Sequence, residues 1–219
     1  MKNSIEQLKE QFIQACRILV NEKLATAFFS LSCRFNKDQY LINSGRSPAL
    51  MNKEDIITAS LQDPSASGKA HPAIYRARED VNAIVHAHPP YAIALSTVKE
   101  AFAPIHSYGA IFHGKIQVYG DYGQVKTQER AQEIVDVLGK GRAILQRGHG
   151  TLVVGKDLVE AVLATIFLEE AARIHFLARG MGTPQTIPLE ISQKVGAQAF
   201  KEKSNQRAWE YYLSRIKRL

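Results

Sequence analysis

Apolar side chains along this chain recur at two spacings, one of about 3.6 residues and one of two, and turn-forming residues fall where the spacing changes. Ile5, Leu8, Phe12, Cys16 and Leu19 share one helical face behind Ser4 and Gln7, a capping-box pair, so a helix is expected over about 4–22. Strand-like runs follow at Phe28–Arg34 and Gln39–Asn43. After the Ser44-Gly45 turn, Lys53–Ser60 reads as a short helix, 63–68 as a loop and Ala70–Arg78 as a helix. Asn82–His88 is a buried-strand pattern stopped by Pro89-Pro90, which suit the opening of a helix reaching about Val98. Further strands are expected at Lys115–Tyr119, Ala143–Gln146 and Thr151–Val154. Two helices stand out: Gln128–Leu138 behind a Thr127 cap, and Leu158–Arg179 between the Asp157/Glu160 cap pair and Gly180. This alternation argues an α/β layered domain over residues 1–219, with a basic helical tail from about 189.

Composition narrows the class. With 219 residues, 45% hydrophobic and 22% charged, the chain can bury a sizeable core, which excludes disorder and collagen. Two cysteines are too few for a disulfide scaffold, and Cys16 lies on the apolar helical face as a buried thiol. No run approaches the roughly 18 apolar residues of a membrane span, and the N-terminus carries no apolar signal core, so a cytoplasmic location is expected. Lys and Arg total 28 against 21 Asp and Glu, a net +7. Residues 194–219 hold seven of the positives and only Glu202 and Glu210 as negatives, yet no nucleic-acid motif accompanies them and their apolar residues repeat at helical spacing. A packed, solvated helix is expected there, with neither nucleic acid nor membrane as partner.

His86 and His88 sit two apart in a predicted strand, so both imidazoles project from one face while Ala87 points the other way. The pair suits one ion, or equally a satisfied core histidine beside a surface one. A third candidate, His149, follows the predicted strand Ala143–Gln146 in Arg147-Gly148-His149-Gly150, where the glycines permit a sharp turn and close backbone approach. Three neutral imidazoles on one divalent cation leave a coordination position open, the arrangement of a catalytic Lewis acid.

The block from His71 to Pro90, containing Ala83-Ile84-Val85-His86-Ala87-His88, resembles the metal-binding segment of the class II aldolase/adducin-like family. Gln146-Arg147-Gly148-His149-Gly150-Thr151-Leu152-Val153-Val154-Gly155 resembles its second metal block. The likeness extends from the N-terminal helix to Trp209-Glu210-Tyr211-Tyr212. It implies a three-layer α/β/α sandwich with a mostly antiparallel central sheet, and a homotetramer with active sites between subunits. It also implies zinc or manganese held by His86, His88 and His149 while a carbon–carbon bond of a small-molecule substrate breaks through an enediolate or enolate.

Two departures from the family pattern bear on the reaction. Aldolases of the family place a glutamate four residues before the position of His71; here the stretch reads Pro64-Ser65-Ala66-Ser67, so Ser67 stands in its place. A hydroxyl has no ionised form near neutral pH and cannot serve as that base. Asp63 would reach the position only if the backbone shifted by about one turn. The second departure is Phe28-Phe29, where the family typically has Gly-Asn before a Ser-x-Arg. Bulky rings obstruct the backbone approach of a phosphate cradle, favouring a less polar or aromatic acid, unless the rings simply fill the core.

Pro104–Gly114 and the Arg207–Tyr212 tail look like the family's metal-dependent decarboxylases of aromatic and heteroaromatic acids. A metal-dependent lyase is therefore expected, with decarboxylation of a hydroxy-aromatic acid ahead of aldol cleavage. The alternatives are an aldolase or epimerase of a sugar phosphate and a non-catalytic adducin-like scaffold. Tyr108 and His113 are proton-donor candidates, although aldolases carry their tyrosine at the position of Ser107. Ser44, Gly45 and Arg46 are candidates for substrate binding, Arg46 because a guanidinium forks onto a carboxylate. His71 is a further candidate, for substrate or for a supporting role at the start of its helix.

Overall fold

A computed structural model describes residues 4–63, 65, 69–99, 102–112, 116–121 and 125–216. Seven strands form one sheet: β1 Ser30–Arg34, β2 Gln39–Asn43, β3 Ile56–Ser60, β4 Ala83–Ala87, β5 Gln117–Tyr119, β6 Ala143–Gln146 and β7 Gly150–Gly155, in the order β3-β2-β1-β4-β7-β6-β5. All neighbours are antiparallel except β5 and β6. Among the described residues eight α-helices accompany them: α1 Ile5–Asn21, α2 Ala70–Ala77, α3 Pro90–Thr97, α4 Ser107–Ala110, α5 Gln128–Leu138, α6 Leu158–Met181, α7 Leu189–Gln198 and α8 Glu202–Arg215.

Strand alternation distributes the layers. Ile84, Leu152 and Val154 pack with Ile74 and Tyr75 of α2 and Ile134 and Leu138 of α5. Their neighbours Ala83, Val85 and Ala87 face the other way, onto Phe12, Cys16 and Leu19 of α1 and Leu163 and Ile166 of α6. The sheet is thus sandwiched between helices, the three-layer arrangement that the family resemblance implies. Burying apolar surface on both faces is what makes β4 and β7 read as nearly continuous apolar runs.

Most boundaries fall within two or three residues of the expected ones, and one element changes type. Residues 53–60 are not a helix: a 3-10 turn covers Lys53–Asp55, and Ile56–Ser60 then pairs with β2 along its whole length. The β-branched run Ile56-Ile57-Thr58 fits an edge strand, and β2 offers it a free row of backbone groups. α6 also continues past Gly180 to Met181 and is capped at Gly182, whose φ of 152° lies outside the ordinary range of L-residues. The basic tail forms α7 and α8, and α8 docks Trp209 into the α1/α6 cluster, with Tyr212 and Leu213 packed alongside.

Candidate functional site

β4 and β7 are paired at the centre of the sheet, Ala87 opposite Thr151 and His86 opposite Leu152, and three histidines gather at this end of the pair. His86 lies in β4; His88 is just beyond it, its backbone N–H donating to the Leu24 carbonyl at 3.1 Å. His149 reaches the same place from the β6–β7 hairpin. There the His149 N–H bonds the Gln146 carbonyl at 3.0 Å, Gly148 takes a φ of 62°, and the Gly148 N–H is tied to Ser96 Oγ of α3 at 2.8 Å. Gly150 then brings β7 so close to β4 that a Cβ there would stand 2.5 Å from the Ala87 carbonyl oxygen and 3.1 Å from Cδ2 of His88. The two glycines therefore do different work: Gly148 supplies a left-handed turn, Gly150 a close approach.

One candidate ligand nitrogen from each of the three imidazoles lies within 4.8 Å of the others. The His88 and His149 rings are stacked at 5.3 Å between centroids, and His86 stands edge-on to both, at 4.9 and 5.1 Å. Nδ1 of His86 lies 3.0 Å from the Thr151 carbonyl, a bond that makes Nδ1–H the donor and leaves Nε2 as the lone-pair nitrogen. Nδ1 of His88 and of His149 is buried without a hydrogen-bond partner. Burial, reinforced by the neighbouring imidazoles, pushes the His86 pKa down to about 3, and burial also lowers that of His88. Both shifts favour the neutral imidazole, the form that has a lone pair for a cation. Converging imidazoles with unpartnered buried nitrogens fit a divalent metal.

Behind the triad, His71 near the start of α2 is buried, with Nε2 3.0 Å from Ser30 Oγ and Nδ1 2.7 Å from Ser32 Oγ. Ser32 Oγ in turn lies 2.8 Å from the Tyr75 hydroxyl. Burial pushes the His71 pKa down to about 4, so the ring is neutral and both nitrogens are engaged by serine hydroxyls of β1.

The triad lines a cleft of about 510 Å³ together with Phe28, Ser44, Gly45, Arg46, His71 and Gln146. Ser44, Gly45 and Arg46 thus share the cleft with the three histidines, and Arg46 is held by Asp55 at 3.2 Å. Asn43 shapes this wall by accepting the Leu31 N–H at 2.7 Å and donating to the Ser44 carbonyl at 2.9 Å. Phe28 is 80% exposed on the lip of the cleft, whereas Phe29 packs against the core. The core-filling explanation therefore holds for one ring and not for the other.

Tyr108 does not line this cleft; it stacks on Phe167 of α6 at 4.4 Å and, with Tyr211 and Tyr212, lines a separate pocket. Ser67 and His113 lie outside the described residues. Asp63 is tied to the backbone N–H and hydroxyl of Ser65, at 2.9 and 2.8 Å, and does not line the cleft. Among the described lining residues there is no carboxylate, while Arg46, Lys69 and Lys126 are cationic. Lys126 had no mark in the sequence, because only folding brings the segment before α5 to a cleft built mainly from β1, β2, β4 and α2.

The family model for the class II aldolase and adducin N-terminal domain matches residues 10–176, and the chain belongs to that family. It is 32% identical over 180 residues to L-fuculose phosphate aldolase of Methanocaldococcus jannaschii, covering 77% of this chain and 96% of that protein. It is 26% identical over 238 residues to 3,4-dihydroxyphthalate decarboxylase of Arthrobacter keyseri, covering 95% of this chain and 93% of the other. In fold it is similar to an aldolase II superfamily protein from Pseudomonas syringae, with a TM-score of 0.83, 24% identity and coverage of 96% and 92%. Divalent-metal dependence is general to class II aldolases, and the histidine triad is a place for such an ion. Among the described residues no helix is long and apolar enough to cross a membrane.

Proposed function

We propose that this chain is a divalent-metal-dependent carbon–carbon lyase, with decarboxylation of a hydroxy-aromatic acid favoured over aldol cleavage. The observation that carries the reading is a three-imidazole centre in a cleft whose described lining has three cations and no carboxylate. A divalent cation, zinc or manganese, supplies Lewis acidity toward a substrate oxygen when bound there. His86, His88 and His149 hold it, and the Thr151 carbonyl fixes the His86 ring. Arg46, Lys69 and Lys126 draw an acid in and orient its carboxylate, as focused charge at a cleft does. His71, locked between Ser30 and Ser32, shapes the wall beside the centre rather than moving a proton.

The described lining favours decarboxylation because it offers no carboxylate base, and a bound divalent cation would acidify the phenol of a hydroxy-aromatic acid so that none is needed. The exposed Phe28 ring supplies an apolar lip for an aromatic substrate. The 3,4-dihydroxyphthalate decarboxylase relative, aligned along nearly the whole of both chains, supports the same reading. Aldol cleavage or epimerisation of a sugar phosphate is the second reading, supported by the fuculose phosphate aldolase relative and by cations that suit a phosphate equally. A non-catalytic scaffold has no physical need for three converging imidazoles.

The proposal includes a cytoplasmic homotetramer with sites between subunits. Exposed apolar residues on α6 and α7, Phe176, Met181, Leu189 and Ile191, support assembly. Tyr108, outside the cleft of its own chain, would donate a proton only across a subunit boundary. The test is metal content per chain together with product release. About one zinc or manganese, carbon dioxide from a metal-chelating hydroxy acid, and loss of both in His86→Ala and His149→Ala are expected. Metal-loaded protein that releases neither carbon dioxide nor an aldehyde across a panel of hydroxy acids and ketose phosphates overturns the lyase reading. Aldehyde without carbon dioxide selects the aldolase.

A further inference from the structure

Ser30 and Ser32 lie two apart in β1, so both hydroxyls leave the face of the sheet that carries α2, and the His71 ring spans them. With the Tyr75 hydroxyl beyond Ser32, the contacts form one line from Ser30 through His71 and Ser32 to Tyr75, at 3.0, 2.7 and 2.8 Å. The protons fix its direction. The neutral His71 ring carries one N–H, and the three hydroxyls carry one proton each, that of Tyr75 being held by burial. Four protons therefore meet three bridges, and each bridge holds one.

One proton is left outside the line. It cannot be that of His71, because both ring nitrogens are engaged and whichever bears hydrogen must donate it. On Tyr75 or Ser32, 1% and 0% exposed, it would be a buried donor with no acceptor among the described residues. Such an arrangement is disfavoured by a factor of at least about five. On Ser30, which is half-buried and lines the cleft, the proton remains within reach of water or a ligand. Tyr75 thus donates to Ser32, Ser32 to Nδ1 of His71, and Nε2–H of His71 to Ser30, whose own O–H is left to the cleft. Ser30 also pairs with His86 across β1 and β4, and residues so paired project from the same face with Cβ atoms about 5 Å apart.

We propose that Ser30 is a substrate-binding residue, its hydroxyl donating a hydrogen bond to an anionic oxygen of the substrate beside the three-histidine centre. His71, Ser32 and Tyr75 are positioning residues, which move no proton but keep Ser30 a donor. The substrate contact rests on the lyase reading, whereas the direction of the hydrogen-bond line does not.

Nitrogen NMR shifts of the histidine rings in metal-free protein test that direction without substrate or turnover, because protonated and lone-pair ring nitrogens resonate far apart. His71 is expected as the Nε2–H form, opposite to His86, whose Nδ1–H is held by the Thr151 carbonyl. Calorimetric titration of zinc-supplemented protein with salicylate tests the contact. Ser30→Ala should bind salicylate about tenfold more weakly, the scale of a hydrogen bond to a charged acceptor, and Ser30→Thr should bind it like the parent. Zinc content and thermal unfolding of both variants should match the parent. An Nδ1–H form of His71, unchanged salicylate affinity in Ser30→Ala, Ser30→Thr no better than Ser30→Ala, no salicylate binding by the parent, or zinc lost from Ser30→Ala overturns the proposal. Product release from another acid would leave the lyase reading standing in each of those cases.

Discussion

Gly150→Ala is a sharp perturbation, because it adds one methyl group where β7 lies tightly against the end of β4 beside His88. The new Cβ would stand 2.5 Å from the Ala87 carbonyl oxygen and 3.1 Å from Cδ2 of His88. Close carbon–oxygen contacts between strands are about 3.3 Å, so β4 and β7 must part by roughly 0.8 Å. Neither contact is with the loose end of a flexible side chain, and the strand pair lies at the centre of the sheet, so little can give. Overpacking of this kind costs about 1–3 kcal/mol, a fall of roughly 2–12 °C in Tm for a chain of this size. The same displacement separates His149 from His88 by several times the roughly 0.2 Å tolerance of a metal–ligand distance. Metal affinity should therefore fall at least about tenfold, measured by chelator competition, alongside the stability loss measured by urea unfolding of metal-free protein. Gly180→Ala is the control: nothing lies within 4 Å of its Cβ position in α6, so helix propensity should stabilise by up to about 1 kcal/mol. A Gly150→Ala protein with unchanged Tm and metal affinity would refute the claim that strand proximity builds the centre.

Three further expectations follow from the same geometry. His71 has a folded-state pKa of about 4 against an ordinary 6.5, so below pH 6.5 the unfolded chain takes up a proton that the folded chain refuses. The stability this gives above pH 6.5 is lost as pH falls through about 4, up to ~3 kcal/mol in all; His71→Gln should flatten the acid limb of metal-free stability by up to one proton, and an unchanged slope counts against the buried neutral ring. His149→Ala should abolish metal retention through dialysis while the circular dichroism spectrum stays that of the parent, and a variant still holding one ion per chain would show that two histidines suffice. Cys16 and Cys33 are both buried, and burial pushes the Cys16 thiol up to about 12 and the Cys33 thiol higher still. A disulfide reagent should therefore label neither until the protein unfolds, and stoichiometric labelling under native conditions would contradict that burial.

What the linear chain determined was local: where periods of 3.6 and two alternate, where caps and glycines punctuate them, and that His86 and His88 leave one face of a strand. These are consequences of backbone geometry within a few residues, which is why α5 and β6 fall at their expected bounds. Residues 53–60 show the limit. Their composition permits helix or strand, and only the unpaired edge of β2 selects the strand. The site divides in the same way. Its histidines were legible from spacing and family likeness, but their convergence within 4.8 Å depends on the β4–β7 register and the gap left by Gly150. The exposure of Phe28, the engagement of both His71 nitrogens by β1 and the arrival of Lys126 were decided by tertiary structure alone. Each depends on contacts between segments far apart in sequence, and local patterns carry no information about which side chains such contacts will cover.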